Sequence, residues 1–138
     1  MLSKFSIGAT DDSRYIREKV FIEEQGFKEE FDAIDDFADT LVLYDGNNPV
    51  ATGRVYELDT PHSFKLGRIA VMKPYRKSGL GREIIALLEK HAMDKGANAL
   101  YISAQIVARP FYEKCSYTAY GDTYPEEHVM HIGMKKIL

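Results

Sequence analysis

Arg76-Lys77-Ser78-Gly79-Leu80-Gly81-Arg82 is the stretch whose residue types and spacing most plainly suit chemistry. Two glycines two apart let main-chain N–H groups come close to a ligand. The residues that follow read as a helix, whose N-terminus adds unpaired donors and a partial positive charge. Flanked by Arg and Lys side chains, such a turn can hold a pyrophosphate; a plain turn is the competing account. Other phosphate-binding patterns do not fit. A P-loop runs Gly-Lys-Ser/Thr, whereas here Lys77-Ser78 precede Gly79. A dinucleotide fingerprint needs a third small residue where Ile84 stands.

The surrounding elements must position this turn. Lys4 to Ile7 reads as a first strand, and Thr10 offers an N-cap with Asp11 and Asp12 in the first helical turn. That helix runs to about Glu24 and Gly26 ends it. Phe27 to Asp39 is ambiguous: Phe31, Ile34 and Phe37 are helically spaced, yet six acids from Glu29 to Asp39 argue for an exposed segment. Strands follow at Leu41–Tyr44 and Val50–Tyr56 around Asp45-Gly46-Asn47-Asn48-Pro49. The next strand, Phe64 to Met72, changes phase at Gly67-Arg68. A β-bulge explains the flip, and burial on both faces explains it equally well. A helix from Gly79 to Lys95 puts Leu80, Ile84, Leu87, Leu88 and His91 on one face, with Gly96 as its stop. Ala99 to Ala104 then makes a strand that should run parallel to the one before the helix. A short helix from about Val107 to Cys115 and strands near Tyr117–Tyr120 and His128–Lys136 complete the chain. The class expected is α+β: a mostly antiparallel sheet of about seven strands, about four helices and one parallel strand–helix–strand crossover.

Composition sets the limits. At 138 residues and 45% hydrophobic, the chain suits one domain, residues 1–138, with a real core. No apolar run is long enough for a transmembrane helix and no signal-peptide pattern opens the chain. A single cysteine, Cys115, excludes an internal disulfide and a Cys-only zinc site. No metal site is expected: three residues apart on a strand, His128 and His131 would point to opposite faces. The expected compartment is cytoplasmic. Charge is uneven: residues 1–63 carry 14 acids and 6 bases, residues 64–138 carry 7 acids and 12 bases. Lys65, Arg68, Lys73, Arg76, Lys77 and Arg82 share a span without any acid. A net charge of −3 with one confined basic stretch disfavours nucleic acid.

Arg-x-x-Gly-x-Gly between a long strand and an amphipathic helix resembles the acetyl-CoA signature of the GNAT N-acetyltransferase superfamily. Ala108-Arg109-Pro110-Phe111-Tyr112-Glu113-Lys114 looks like its short helix with a Phe/Leu-Tyr pair. Val20-Phe21-Ile22-Glu23-Glu24-Gln25, the later Asp32, Asp35 and Asp36, and His131-Ile132-Gly133-Met134 are similar to one small bacterial branch. Three features depart from the pattern. Gln105 stands where many members have Asn, Cys115-Ser116-Tyr117 replaces a Gly-Phe, and no unambiguous Glu lies on the strand before the glycine turn.

The resemblance implies a set of roles. Ile69, Ala70 and Val71 would lend main-chain groups to the cofactor's amides, and an N–H near Val71 would polarise the thioester carbonyl. Arg76, Lys77, Ser78, Gly79, Leu80, Gly81 and Arg82 would hold the pyrophosphate, and Gln105 the pantetheine arm or an ordered water. Tyr112 would be the general acid for the departing thiolate; its alternative is a core tyrosine with a satisfied hydroxyl. His131 is the first candidate base, with Glu24 second; a hydrogen-bonded histidine on a half-buried strand is the alternative for His131. Cys115 reads as a structural thiol. The expected activity is direct acetyl transfer from acetyl-CoA to a primary amine of a small molecule or peptide. A cationic acceptor would be drawn by acids between Glu23 and Asp39. The chain would act alone or as a homodimer, without nucleic acid, membrane or metal. A CoA- or nucleotide-binding sensor and an acidic interaction domain built on Phe27–Asp39 are the other classes.

Overall fold

Seven strands form one sheet in the computed structural model, which describes residues 1–138. They are β1 (Leu2–Ile7), β2 (Asp39–Asp45), β3 (Asn48–Glu57), β4 (Ser63–Val71), β5 (Ala99–Gln105), β6 (Thr118–Glu126) and β7 (Val129–Ile137). Their order across the sheet is β1-β2-β3-β4-β5-β7-β6. Only the β4–β5 pair is parallel. Three helices flank the sheet: α1 (Asp11–Arg17), α2 (Leu80–Asp94) and α3 (Arg109–Lys114). No helix is long and apolar enough to cross a membrane.

Three helices are one fewer than expected, because Phe27 to Asp39 winds only into a single 3-10 turn, Ala33–Asp36. The helical spacing of Phe31, Ile34 and Phe37 is overridden by charge: the carboxylates beside them turn inward to arginines (below). The first helix starts where expected, on a Thr10 capping box with Ser13. Its last part, Glu18–Glu24, is wound as a π-helix, with Gln25 N–H donating to Val20 O at 3.1 Å. Such widened turns change which side chains face inward.

Two apolar clusters lie on opposite faces of the sheet. The larger packs α2 and α3 against Leu41, Leu43, Leu66, Leu100 and Met134; the smaller packs Ile16, Val20, Phe21 and Phe27 against Val42 and Ala70. Close contact of α2 with the sheet depends on Gly53 of β3, where a Cβ would stand 2.8 Å from Leu88 Cδ1 and 2.9 Å from Ile84 Cγ2.

The phase change in β4 is a bulge. Gly67 pairs with Arg54 and Ala70 with Thr52, so Arg68 and Ile69 together oppose Gly53. Arg68 takes a left-handed φ of +50° to make the extra step. The result keeps Phe64, Leu66, Ile69 and Val71 all against the α2 core.

Candidate active site

Pairing between β4 and β5 stops early. It covers Ser63–Leu66 against Ala99–Ile102, although β4 continues to Val71 and β5 to Gln105. The edge of β4 from Gly67 to Val71 that faces β5 therefore has no strand partner. A cleft of about 490 Å³ opens there, lined by both strands, α3, the loop after α1 and the β6–β7 turn. A ligand carrying amides can add to such an edge as another strand would.

At the outer end of β4 the chain turns through Lys73–Tyr75 into α2. Gly79 is the N-cap with φ +86° and offers no side chain to the helix N-terminus, so the first N–H groups have no cap from within the chain. A Cβ on Gly79 would meet nothing within 4 Å, whereas one on Gly81 would meet the Phe111 ring at 3.2 Å. Gly81 thus has a packing reason to be glycine in addition to any ligand, because Phe111 seats α3 on α2. Leu80 is buried core, so only its main chain can serve a ligand. Ser78 Oγ donates to Tyr75 O and braces the turn.

The basic span is less free than its sequence suggests. Arg76 donates to both carboxylate oxygens of Glu24 and, through Nε, to Val71 O at 3.0 Å. Glu24, proposed as a base, is held by these hydrogen bonds, which lower its carboxyl below the ordinary range. It does not line the cleft. Lys73, Lys77 and Arg82 remain exposed around the turn.

The acids between Glu29 and Asp39 divide: Glu29 and Asp36 are exposed as the sequence suggests, whereas Glu30 and Asp35 are buried and Asp32 is paired with arginines. Glu30 and Asp35 are 5% and 4% exposed, and Arg17 and Arg54 are as deeply buried. Arg17 Nε donates to Glu30 at 3.0 Å and its Nη1 to Asp35 at 2.6 Å. Arg54 Nη1 donates to Asp32 at 2.8 Å and to Asp35 at 2.9 Å. Arg68, on the bulge, joins Glu30 at 3.0 Å and Asp32 at 3.3 Å. Three arginines thus neutralise three carboxylates. Burial pushes Asp35 upward, but hydrogen bonds from Arg17 and the Asp32 N–H outweigh it and bring the carboxyl to about 2. Arg54 holds Asp32 below its usual range, while burial wins at Glu30 and raises it.

The opposite wall is built differently. Gln105, His131 and Tyr124 are cross-strand partners on β5, β7 and β6, so their side chains share one face. His131 is 4% exposed and lies over the Tyr124 ring. Its Nδ1 bonds Val129 O at 3.0 Å, and since a carbonyl only accepts, that nitrogen carries the proton. Nε2 then faces Glu126 Oε2 at 3.5 Å. Ser103 contacts the Tyr124 hydroxyl and donates to Glu126 Oε1 at 3.3 Å. His128 lies in the turn before β7, so strand alternation does not govern it: both His rings pack on Phe27, and His128 Nε2 bonds Gln25 O at 2.7 Å. Gln105 Nε2 donates to Gln25 Oε1 at 2.8 Å, linking the two sides of the cleft.

Tyr112 is 9% exposed, and its ring meets Phe111 and Tyr117 edge-on. Burial raises its phenol well above the ordinary range. The hydroxyl makes no hydrogen bond within the chain, and Tyr112 lines the cleft. A protonated phenol in this position can donate to a leaving group. Cys115 is half-buried, and burial raises its thiol, which makes it a poor nucleophile.

Residues 10–138 match the family model of the acetyltransferase (GNAT) domain. The chain belongs to the GNAT acetyltransferase family. It is 37% identical over 128 residues to the uncharacterised N-acetyltransferase YjcF of Bacillus subtilis, covering 91% of this chain and 90% of that one. It is also 37% identical over 126 residues to the uncharacterised protein YyaT of the same organism, covering 88% and 84%. A crystal structure from Lactobacillus plantarum, assigned to the N-acetyltransferases, superposes with a TM-score of 0.87 at 30% identity over 100% of this chain and 99% of that one. This GNAT chain is therefore an enzyme of the N-acetyltransferase type. Ser103, Tyr124 and Glu126 escaped the sequence reading, as did the arginine cluster. Gly121-Asp122 looks like a strand end after Tyr120, but β6 bulges there, with residues 121–123 opposing Ile132 alone, and continues to Glu126. Tyr124 and Glu126, two apart before a turn that returns to His131, were the available signal.

Proposed function

We propose that this enzyme moves an acetyl group from acetyl-CoA directly to a primary amine of a small molecule or peptide. The observation that carries the reading is the unpartnered edge of β4 leading into the uncapped N-terminus of α2, with Tyr112 lining the same cleft. The edge suits the amides of the pantetheine arm, and the helix N-terminus with Lys73, Lys77 and Arg82 suits the phosphates. Val71 accepts from Arg76 through its carbonyl, which leaves its N–H for the thioester oxygen. Gln105 would reach the arm by exchanging its bond to Gln25. When bound, acetyl-CoA supplies an activated acyl carbon and a thiolate leaving group. The protein's own part is to take the amine's proton at His131 Nε2, the one ring nitrogen not engaged by a carbonyl, and to give the Tyr112 proton to the departing sulfur. Such a reaction belongs in the cytoplasm, where acetyl-CoA is made and used, and needs no metal. Calorimetry with acetyl-CoA followed by a free-thiol assay over a panel of amines tests the reading. Tight binding with thiol release dependent on an amine supports it. Binding without release under any acceptor makes the protein a CoA sensor instead.

A further inference from the structure

The cleft wall carries five carboxylates, Glu29, Glu30, Asp32, Glu126 and Glu127, against the cations Arg54, Lys65 and Arg68. Their states of satisfaction differ. Glu30 and Asp32 are consumed by arginines. Glu127 spends both oxygens on the N–H groups of Lys28 and Glu29, at 2.8 and 3.0 Å. Glu29 is exposed and its side chain has no partner within the chain, and Glu126 is the carboxylate with spare capacity that lies against His131. Its side chain is 43% exposed, and its two contacts, to Ser103 at 3.3 Å and His131 Nε2 at 3.5 Å, are long. A carboxylate has about four lone-pair positions, so an ammonium N–H can be added without displacing either neighbour.

We propose that Glu126 seats the acceptor as an alkylammonium ion and passes it to His131. The inference rests on the transferase reading above and adds a substrate class and a residue to it. Charge selection is thereby moved from Glu23–Asp39, where the sequence suggested it, to the other side of the cleft. The ammonium donates one N–H to Glu126. A second N–H breaks, and its proton goes to His131 Nε2, leaving the nitrogen its lone pair. The imidazolium so formed lies against the Glu126 carboxylate, with Nδ1–H still held by Val129 O. As the N–C bond forms and the C–S bond breaks, Tyr112 gives its proton to sulfur; the acylated nitrogen sheds its second proton to water, from which the Tyr112 phenolate is reprotonated, and His131 returns the first proton to solvent. The sum is one amide, one thiol and one released proton.

The test compares Glu126→Gln with the parent on benzylamine and agmatine, both cations at pH 7, and on aniline, which is neutral there. Removing a charge-assisted hydrogen bond should lower the kcat/KM ratio of benzylamine to aniline roughly ten- to hundredfold. The loss should appear in the acceptor KM and leave the acetyl-CoA KM within about twofold, since ground-state binding of one substrate is what changes. A general structural lesion lowers both amines alike, and Glu126→Asp should restore part of the ratio. An unchanged ratio overturns the role of Glu126 while thiol release by the parent keeps the transferase reading intact. A parent that prefers aniline or anionic amines also overturns it. A parent that releases thiol with no amine overturns both.

Discussion

The two walls of the cleft are both rich in charge, and they have opposite characters. On the α1 side Arg17, Glu30, Asp32, Asp35, Arg54 and Arg68 satisfy one another at 2.6 to 3.3 Å, and Arg54 Nε is the one buried side-chain polar atom left without a partner. On the β5–β7 side Glu126 meets Ser103 and His131 only at 3.3 and 3.5 Å, and Tyr112 brings a hydroxyl with no hydrogen-bond partner within the chain. Groups whose hydrogen bonds are completed by neighbours can hold a shape; groups with bonds to spare can meet a substrate. Residue type alone does not separate these cases. The same carboxylate is scaffold at Asp35 and substrate contact at Glu126, and what differs is how many arginines reach it.

The scaffold wall should respond most strongly to mutation. Arg17→Met removes one partner from a cluster that stays buried and leaves Glu30 and Asp35 under-compensated. The expected loss is about 3–5 kcal/mol of unfolding free energy, measured by urea denaturation. A loss below about 1 kcal/mol, typical of exposed pairs, would make the two walls alike and remove the contrast.

Tyr112→Phe probes the other wall and should leave stability nearly unchanged, since the hydroxyl bonds nothing within the chain. If the hydroxyl serves only the departing sulfur, kcat falls on the order of a hundredfold. Acetyl-CoA affinity by calorimetry should stay within a few-fold, because a transition-state contact does not enter ground-state binding. An unchanged kcat would return Tyr112 to the core, and a lost affinity would make it a positioning residue.

Much of this arrangement could be read in advance where the signal is local. The glycine turn, the Thr10 cap and the parallel crossover follow from local pattern, and on α2 Leu80, Ile84 and Leu88 are buried as expected, while Ile85 and Ala92 are buried beside them and Leu87 and His91 only half-buried. The bulge in β4 was legible as a phase change, though pairing was needed to choose it over burial on both faces. What could not be read depends on long-range partners. Glu30, Asp32 and Asp35 look solvated because Arg17 precedes them by more than a dozen residues and Arg54 and Arg68 follow far along the chain. Arg76 looked free for phosphates because nothing near it in sequence announces Glu24. Local composition reports charge, and only the fold reports who cancels it.

The scaffold wall should also set the acid limb of stability. Asp35 has a folded pKa of about 2, below the unfolded value of about 3.9. Its contribution is therefore fully present above the unfolded value and is lost as pH falls through the folded one; Asp32 has the same sign. Glu30 is raised and has the opposite sign, its contribution being present below its unfolded value and fading as pH rises, so it offsets part of the trend. Unfolding free energy should drop between about pH 4 and pH 2, and Asp35→Asn should flatten that slope. The same slope in the variant would mean that the arginines do not act on Asp35.

The smallest effect is expected at Glu24, and it tests where the comparison draws its line. Glu24 and Arg76 are each about one-third exposed, so their pair should contribute no more than about 1 kcal/mol to stability. As a base Glu24 is handicapped twice: Arg76 holds its carboxyl below the ordinary range, and its side chain is outside the cleft. Glu24→Gln keeps the size of the group and one acceptor oxygen for Arg76. The unfolding midpoint should barely move, and kcat with an amine acceptor should stay within about twofold, far from the loss that follows removal of a general base. The acetyl-CoA KM is the one parameter free to shift by a few-fold, because Arg76 also braces the Val71 carbonyl beside the proposed thioester position. His131→Asn in parallel should show the reverse pattern, a large fall in kcat with acetyl-CoA binding retained. Should kcat collapse in Glu24→Gln and survive in His131→Asn, proton removal would belong to a carboxylate already paired with arginine. Completed hydrogen bonds would then no longer mark the scaffold, and the division of the cleft into a holding wall and a reacting wall would fall.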